Sequence, residues 1–410
     1  MPLTEILEEF KPATRAGHHV IASIRGSEPG PTLIILGSIH GNEPAGTQAA
    51  DRVLSQLGAL GSRLRGEVLL LTGNTRALDR KVRYVDTDLN RIWTAANIQT
   101  IKQTIKSGNA AHPNLSEALE QRELLVELEN AFARARGEIF FVDLHTTSAP
   151  GKPFATVGDT LRNRRFALNF PVTIVLGLEE QIDGTLLEYV NNRGVITMGL
   201  EAGQHDAASS TDNHEAVIWI ATVATRNLRR QDVPELESRV ALLTRTGGRR
   251  VVEVRHRHAI SPHDEFKMEP GFTNFQPVRR GQLLAHDRKG EITARETGLV
   301  LLPLYQGLGD DGFFLGRAVR RFWLSLSALL RRTRIVNFVH LLPGVRRDPR
   351  DENFLIVNTR IARILPLQIF HLLGLRRRRW VGNHLIVSRR AFDLRGPQPR
   401  LAPSRRRRDT

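Results

Sequence analysis

The sequence predicts an α/β fold, a β-sheet with helices on its faces, followed by a smaller β domain and a basic, partly helical tail. Three observations carry this. Up to about residue 240, short apolar runs alternate with helical patterns, as in a sheet covered by helices. From about 245 to 305 the runs shorten and Gly and Pro turns separate them. Beyond Gly309 arginine becomes the dominant charged residue. At 410 residues the chain exceeds the usual span of one core. The division expected is 1–244 for the α/β domain, 245–310 for the β domain and 311–410 for the tail.

In chain order, strands are expected at Thr32–Gly37, Glu67–Thr72, Ile139–Leu144, Val172–Leu176 and Val195–Glu201, apolar runs too short for helices. Helical spacing fills Pro44–Leu57, Glu117–Arg136 and Asn213–Arg229. The β domain is read from RRVVEVRHRHAIS, MEPGF, VRRGQLLAH, RKGEITA and TGLVLLPLY. Its glycines suggest a biotinyl-like barrel. With RKGEITA read as a strand, no lysine is expected in a tight hairpin that would carry a cofactor. In the tail, apolar positions 315, 319, 322, 326, 329 and 330 follow helical spacing, with Arg317, Arg320 and Arg321 off the stripe. An amphipathic helix is therefore expected at Leu315–Leu330. A second apolar run, Ile361–Leu375, is interrupted by Pro366 and followed by Arg376–Arg379; the last dozen residues are expected to be disordered.

The formal charge of +16 misleads until it is located. Residues 311–410 hold 23 arginines, no lysine and six acids, a net of +17, so residues 1–310 stand at −1. The basicity belongs to the tail and says nothing of what the body binds. There is no cysteine, which excludes disulfides and thiolate metal ligands. The amino terminus, MPLTEILEEF, lacks a signal-peptide pattern, and no apolar run reaches 18 residues. A cytoplasmic protein is expected, peripheral to the membrane if the tail binds lipid.

Four segments carry chemistry. In LIILGSIHGNEPAG a strand runs into Gly37, and His40 and Glu43 follow three apart before a helix. Loops at the carboxyl ends of sheet strands are where open α/β folds place their sites. By itself His-x-x-Glu is equally what an incidental surface histidine would give. In FFVDLHTTS, His145 stands at the end of a buried strand, as a third ligand or merely as a strand cap, with Asp143 placed to orient a ligand. Two histidines and one carboxylate make the ligand set of a catalytic zinc with an open position for water. RYVDTDLNRIW sets Arg83, Asn90 and Arg91 in one loop, suited to an anionic substrate or to a surface cluster with Asp86 and Asp88. In ITMGLEAGQH, Glu201 ends a strand, either beside a metal-bound water as its base or paired with a surface cation.

Together GSIHGNEPAG, DTDLNR, DLHTTS and GLEAGQ, in this order, closely resemble the succinylglutamate desuccinylase/aspartoacylase family, itself related to the zinc carboxypeptidases. The resemblance covers roughly residues 30–310. It implies a zinc-carboxypeptidase-like mixed sheet flanked by helices, and a zinc hydrolase domain over 1–244 that cleaves the amide bond of a small anionic N-acylated amino acid. It implies one Zn2+ per chain on His40, Glu43 and His145, with Glu201 as general base. It implies substrate binding by Arg83, Asn90 and Arg91, and Tyr305 in LPLYQGLG looks like the family's tyrosine from the C-terminal domain. The β domain is then a lid or wall of the site, the polar stretch 94–116 an insertion over it, and Arg193 a candidate further substrate contact.

Two other readings compete. A zinc carboxypeptidase or amidase acting on peptides would use the same ligands. A non-catalytic protein whose arginines hold RNA would use the charge, although the tail has no RNA-binding motif. The tail also suits an anionic membrane surface, with Trp323 and Trp380 beside basic residues, or a helical extension packed on the body.

Overall fold

The structure is a computed structural model that describes residues 16–107, 115–245, 249–333, 335–349, 351–358, 372–381 and 384–397. Most of the apolar run Ile361–Leu375 and the terminal arginines lie outside the described residues.

Eight strands come first: β1 (Val20–Arg25), β2 (Glu28–Gly37), β3 (Arg65–Thr72), β4 (Ile139–Thr147), β5 (Phe154–Val157), β6 (Thr173–Leu176), β7 (Ile196–Gln204) and β8 (Val251–Ala259). They are followed by β9 (Lys267–Met268), β10 (Pro277–Val278), β11 (Leu283–Asp287), β12 (Gly290–Thr293), β13 (Gly298–Leu301) and β14 (Asp311–Ala318). Eleven of these make one mixed sheet in the order β1-β3-β2-β4-β7-β5-β6-β8-β14-β13-β10, and β12-β11-β9 form a small separate one. The centre, β3-β2-β4-β7, is parallel, while β1 and β5 run antiparallel to their neighbours β3 and β7.

The run Leu33–Leu36 is continuously apolar because both faces of β2 are covered. Leu33 and Ile35 join Val53 and Leu57 of the Ala45–Ala59 helix and Trp219 of the Ala208–Ala224 helix in one core. Ile34 and Leu36 join Leu124 and Leu128 of the Ser116–Arg134 helix in another. Each such side chain contributes about 1.5–3 kcal/mol by its burial. Gly37 and Gly46 let the Ala45–Ala59 helix descend onto the strand ends: a Cβ on Gly37 would lie 2.5 Å from the Thr47 nitrogen, and one on Gly46 would lie 2.8 Å from the Leu144 Cβ. The Ala208–Ala224 helix stops five residues short of the sequence expectation. Arg226 turns left-handed (φ 67), and the Asn227 amide donates to the carbonyls of Pro31 and Arg65 instead of continuing the helix.

Two expectations for the C-terminal half are corrected. Lys289 does stand in a tight hairpin: β12 begins only at Gly290, paired with Asp287, and the Asp287 carboxylate accepts from the Lys289 N–H. The tail helix is Arg321–Arg332, not Leu315–Leu330, because Leu315 is a strand residue of β14 facing His256 and Val300. The described tail is chiefly β. The strands β15 (Val345–Asp348), β16 (Asp351–Asn358), β17 (Leu375–Val381) and β18 (His384–Arg389) form the sheet β15-β16-β18-β17, with its own core around Val339, Val357, Leu385 and Val387.

The tail unit sits on the body through buried ions. Arg331 is fully buried and donates to the Asp159 carboxylate at 2.7 Å and to the Asp159 carbonyl at 2.9 Å. Arg390 pairs with Glu179 and lies 3.6 Å from Glu180. Burial alone would raise the Asp159 carboxyl, but Arg164 and Arg331 hold it far below the carboxylate range.

Candidate metal centre and its cavity

The register of the parallel strands assembles the site. β2 ends at Gly37 opposite Leu144, and in the next pair His145 of β4 stands directly opposite Glu201 of β7. β4 runs on to Thr147, so His145 lies within the strand rather than past its end. The loop after β2 carries His40 and Glu43 to the same place, held by the Ser38 hydroxyl, which donates to the Glu43 carbonyl at 3.1 Å.

His40 Nδ1 is 2.8 Å from Glu43 Oε1, and His145 Nδ1 is 3.2 Å from Glu43 Oε2. The Thr146 N–H donates to Glu43 Oε2 at 2.9 Å and fixes that carboxylate. Each outer nitrogen faces an acid: His40 Nε2 lies 3.2 Å from Asp88 Oδ1, and His145 Nε2 lies 3.0 Å from Asp143 Oδ2. A carboxylate at Nε2 favours the tautomer whose Nδ1 lone pair points inward; at His40 the Arg83 Nη2 donor, 3.0 Å from Nε2, works against that preference. The three inner groups offer ligand atoms within 4.8 Å of one another. Two imidazole nitrogens and one carboxylate, buried and oriented from behind, fit zinc.

Burial alone would raise the Glu43 carboxyl, yet His40 and His145 hold it well below the carboxylate range. Burial would likewise lower His145, but Asp143 and Glu43 hold it well above its ordinary value. Burial pushes Glu201 up to about 8, with Glu43 and Asp143 adding to the rise and His145 and Arg83 opposing it. One Glu201 oxygen is buried with no hydrogen-bond partner among the described residues. Positive charge held by the three inner donors would draw that carboxyl back toward ionisation.

The remaining sequence candidates divide. Arg83 reaches the centre: its Nη2 donates to Asp88 Oδ2 at 3.0 Å, and its Nη1 lies 3.5 Å from Glu43 Oε1. Asn90 lines the cavity while its side-chain amide oxygen, Oδ1, accepts from the Leu186 N–H at 2.9 Å. Arg91 lines it too, with its Nη2 donating to Asp311 Oδ2 at 3.3 Å across to β14. The buried Nε atoms of Arg83 and Arg91 have no hydrogen-bond partner among the described residues.

Tyr305 does not line the cavity. Its hydroxyl donates to the Glu269 carbonyl at 2.8 Å and accepts from the Phe272 N–H at 2.9 Å, which uses it structurally. The next residue, Gln306, lines the cavity instead, its amide oxygen 3.2 Å from His205 Nε2. Arg193 is likewise turned away, donating to Glu129 and lying over the Phe132 ring. The described part of the 94–116 stretch is a helix, Ala95–Lys106, tied to Glu129 through Lys102 rather than covering the cavity.

Sequence reasoning missed Asp88 as the partner of His40, and it missed His205 and Gln306. Asp88 was visible in DTDLNR, but nothing in the spacing says that it folds back onto His40. The segment Leu302–Asp311 closes one side of the cavity, and Val157, Leu178, Ile182, Leu187 and Phe314 make an apolar wall.

Residues 29–224 match the succinylglutamate desuccinylase/aspartoacylase catalytic domain. A succinylglutamate desuccinylase of Chromobacterium violaceum is 30% identical over 124 residues, 30% of this chain and 34% of that protein. The chain thus spans about a third of the length of the curated relatives it matches. The fold is shared with a succinylglutamate desuccinylase/aspartoacylase from Rhodobacter sphaeroides (TM-score 0.54, 19% identity, 73% of this chain and 88% of that one). It is also shared with murine aminoacylase 3 (TM-score 0.50, 18% identity, 71% and 95%).

Proposed function

Because residues 29–224 place this chain in the succinylglutamate desuccinylase/aspartoacylase family, we propose that it is a zinc-dependent hydrolase cleaving the amide bond of a small N-acylated amino acid. The observation that carries the reading is the register that sets Glu201 beside His145, where two inward Nδ1 atoms meet at Glu43.

His40, Glu43 and His145 would hold the metal, one ion per chain. Bound there, zinc supplies a Lewis acid for the carbonyl and makes a water acidic near neutral pH. Glu201 takes the proton of the attacking water and returns it to the leaving nitrogen. Asp88 and Asp143 keep the histidines in the ligating tautomer. Arg83, beside Glu43, faces the oxygen on which negative charge develops.

Arg83 offers a buried Nε with no hydrogen-bond partner among the described residues to a substrate carboxylate, while Arg91 Nε lies 3.6 Å from Asp310 Oδ2. Among the described residues they are the only arginines lining the cavity, and both already meet acids. A substrate with one carboxylate and an apolar remainder fits this wall better than one with several carboxylates. The segment Leu302–Asp311 across one side favours a small molecule over a peptide.

The test is a zinc-supplemented screen of N-acetyl, N-formyl, N-succinyl and longer N-acyl amino acids, with metal content measured on the same preparation. Release of free amine from at least one of them, absent in Glu201→Gln, is expected. A protein with a full equivalent of zinc that hydrolyses none of them would overturn the reading.

A further inference from the structure

Helix Arg321–Arg332 packs Leu324 and Leu330 inward yet leaves much of its apolar surface outside. It buries Ser327 and Arg331 and leaves Phe322 (66% exposed), Trp323 (46%) and Leu329 in solvent, the two aromatic rings packed edge to face at 5.3 Å. The turn that follows, Ile335–Leu341, repeats the pattern. Val336 and Val339 enter the tail core, while Ile335, Phe338 (61%) and Leu341 (71%) face outward. The Arg331 ion pair with Asp159 helps fix which side of the helix meets the body, leaving Phe322, Trp323 and Leu329 outward.

Charge says what this face meets. Between Asp311 and Asp348 the chain contains no acid and eight arginines. Of these, Arg317, Arg320, Arg321, Arg332, Arg346 and Arg347 are exposed. An outward apolar strip whose own segment carries cations and no acid has the composition of a surface seated at a lipid headgroup boundary, with aromatic and leucine side chains below the phosphates and guanidinium groups among them. A self-associating face would bring these arginines against one another. No helix among the described residues is long and apolar enough to cross a membrane, so the contact is with the bilayer surface.

We propose that the helix Arg321–Arg332 and the turn Ile335–Leu341 dock this protein on an anionic lipid bilayer, with Phe322, Trp323, Leu329, Phe338 and Leu341 entering the interface. The inference does not depend on the hydrolase reading.

The experiment uses the full chain and vesicles of phosphatidylcholine with and without phosphatidylglycerol. Co-sedimentation with the anionic vesicles is expected, weakening as salt rises, together with quenching of tryptophan fluorescence by brominated acyl chains. The exposed-site variant Phe322→Ser/Trp323→Ser/Leu341→Ser is expected to lose about tenfold or more of vesicle affinity while keeping its Tm and its retention on heparin. Equal vesicle binding by parent and variant would overturn the proposal, showing charge alone at work. So would failure of the parent to sediment at low salt, or a dimer by light scattering that the variant dissolves.

Discussion

Among the described residues, two largely buried clusters set histidine among acids, and their surroundings differ. One is His40, Glu43 and His145; the other is His19, Glu120 and Glu123, beside the start of β1. In the second, a guanidinium sits between the carboxylates. Arg76 Nη1 donates to Glu120 at 2.6 Å and to Glu123 at 2.8 Å, and Glu120 also accepts from the Thr75 N–H and hydroxyl. His19 Nδ1 is 2.9 Å from the Thr72 carbonyl, which draws that nitrogen away from the acids. The lone pairs there are satisfied by the protein's own cation. In the first cluster Arg83 stands to one side, and two Nδ1 atoms and a carboxylate face one another. Ligand types alone do not make a metal site; what matters is whether a fixed cation already fills it.

The largest expected effect breaks the comparison outright. The parent protein should bind one equivalent of zinc, His145→Ala none, and His19→Ala a full equivalent. Elemental analysis after dialysis reads this directly. Equal metal in the parent and His145→Ala would remove the proposed centre, and loss of metal in His19→Ala would show that the second cluster holds an ion after all.

Next in size is Glu201→Gln. It should keep zinc and Tm and lose about 10²- to 10⁴-fold in turnover of whichever substrate the screen yields. The amide preserves shape and removes the base, so near-normal turnover would make Glu201 structural.

The two arginines sharpen the contrast further. Arg76→Ala leaves Glu120 and Glu123 buried without their cation and should cost about 3 kcal/mol in urea unfolding. Arg83→Ala should cost less stability and mainly depress hydrolysis. If the free acid and methyl ester of the best substrate are cleaved equally well, the guanidinium groups of Arg83 and Arg91 do not bind a carboxylate.

Much of the catalytic half was legible in the sequence because its signals are local. The strand end at Gly37 and the alternation of elements follow from short-range pattern and burial, whereas β4 runs three residues beyond the expected Leu144. Roles that depend on distant partners were not legible. Asp88 reads as one of several loop acids until the fold brings it to His40. Tyr305 and Gln306 are neighbours in sequence, and only the packing of Leu302–Asp311 decides which faces the cavity. The tail was misjudged for the same reason: its apolar spacing announced a helix stripe, but the partner of Arg331, Asp159, lies 172 residues away. A buried ion pair shares the inner face with Leu324 and Leu330, while Phe322 and Leu329 of the expected stripe are left exposed.

The smallest effect separates charge from packing in the second cluster. Burial alone would raise Glu123, but its contacts with His19 and Arg76 bring it down to about 2. A depressed carboxyl stabilises the fold above the ordinary glutamate range near 4.3 and loses that contribution as pH falls through its folded value. His19 runs the other way. Burial alone would lower it, yet Glu123 and Glu120 raise it above its ordinary 6.5. Its contribution is complete below that value and is lost as pH rises through the folded one. Both are fully present only between about pH 4.5 and 6.5. The Glu123 side chain is 28% exposed, so screening limits the contribution to about 1 kcal/mol. Urea unfolding of the parent and Glu123→Gln should therefore differ by about that much near pH 5.5 and converge toward pH 2. A difference that persists unchanged at the acid end would assign the loss to packing, and the cluster would then owe its stability to shape rather than to the cation it holds.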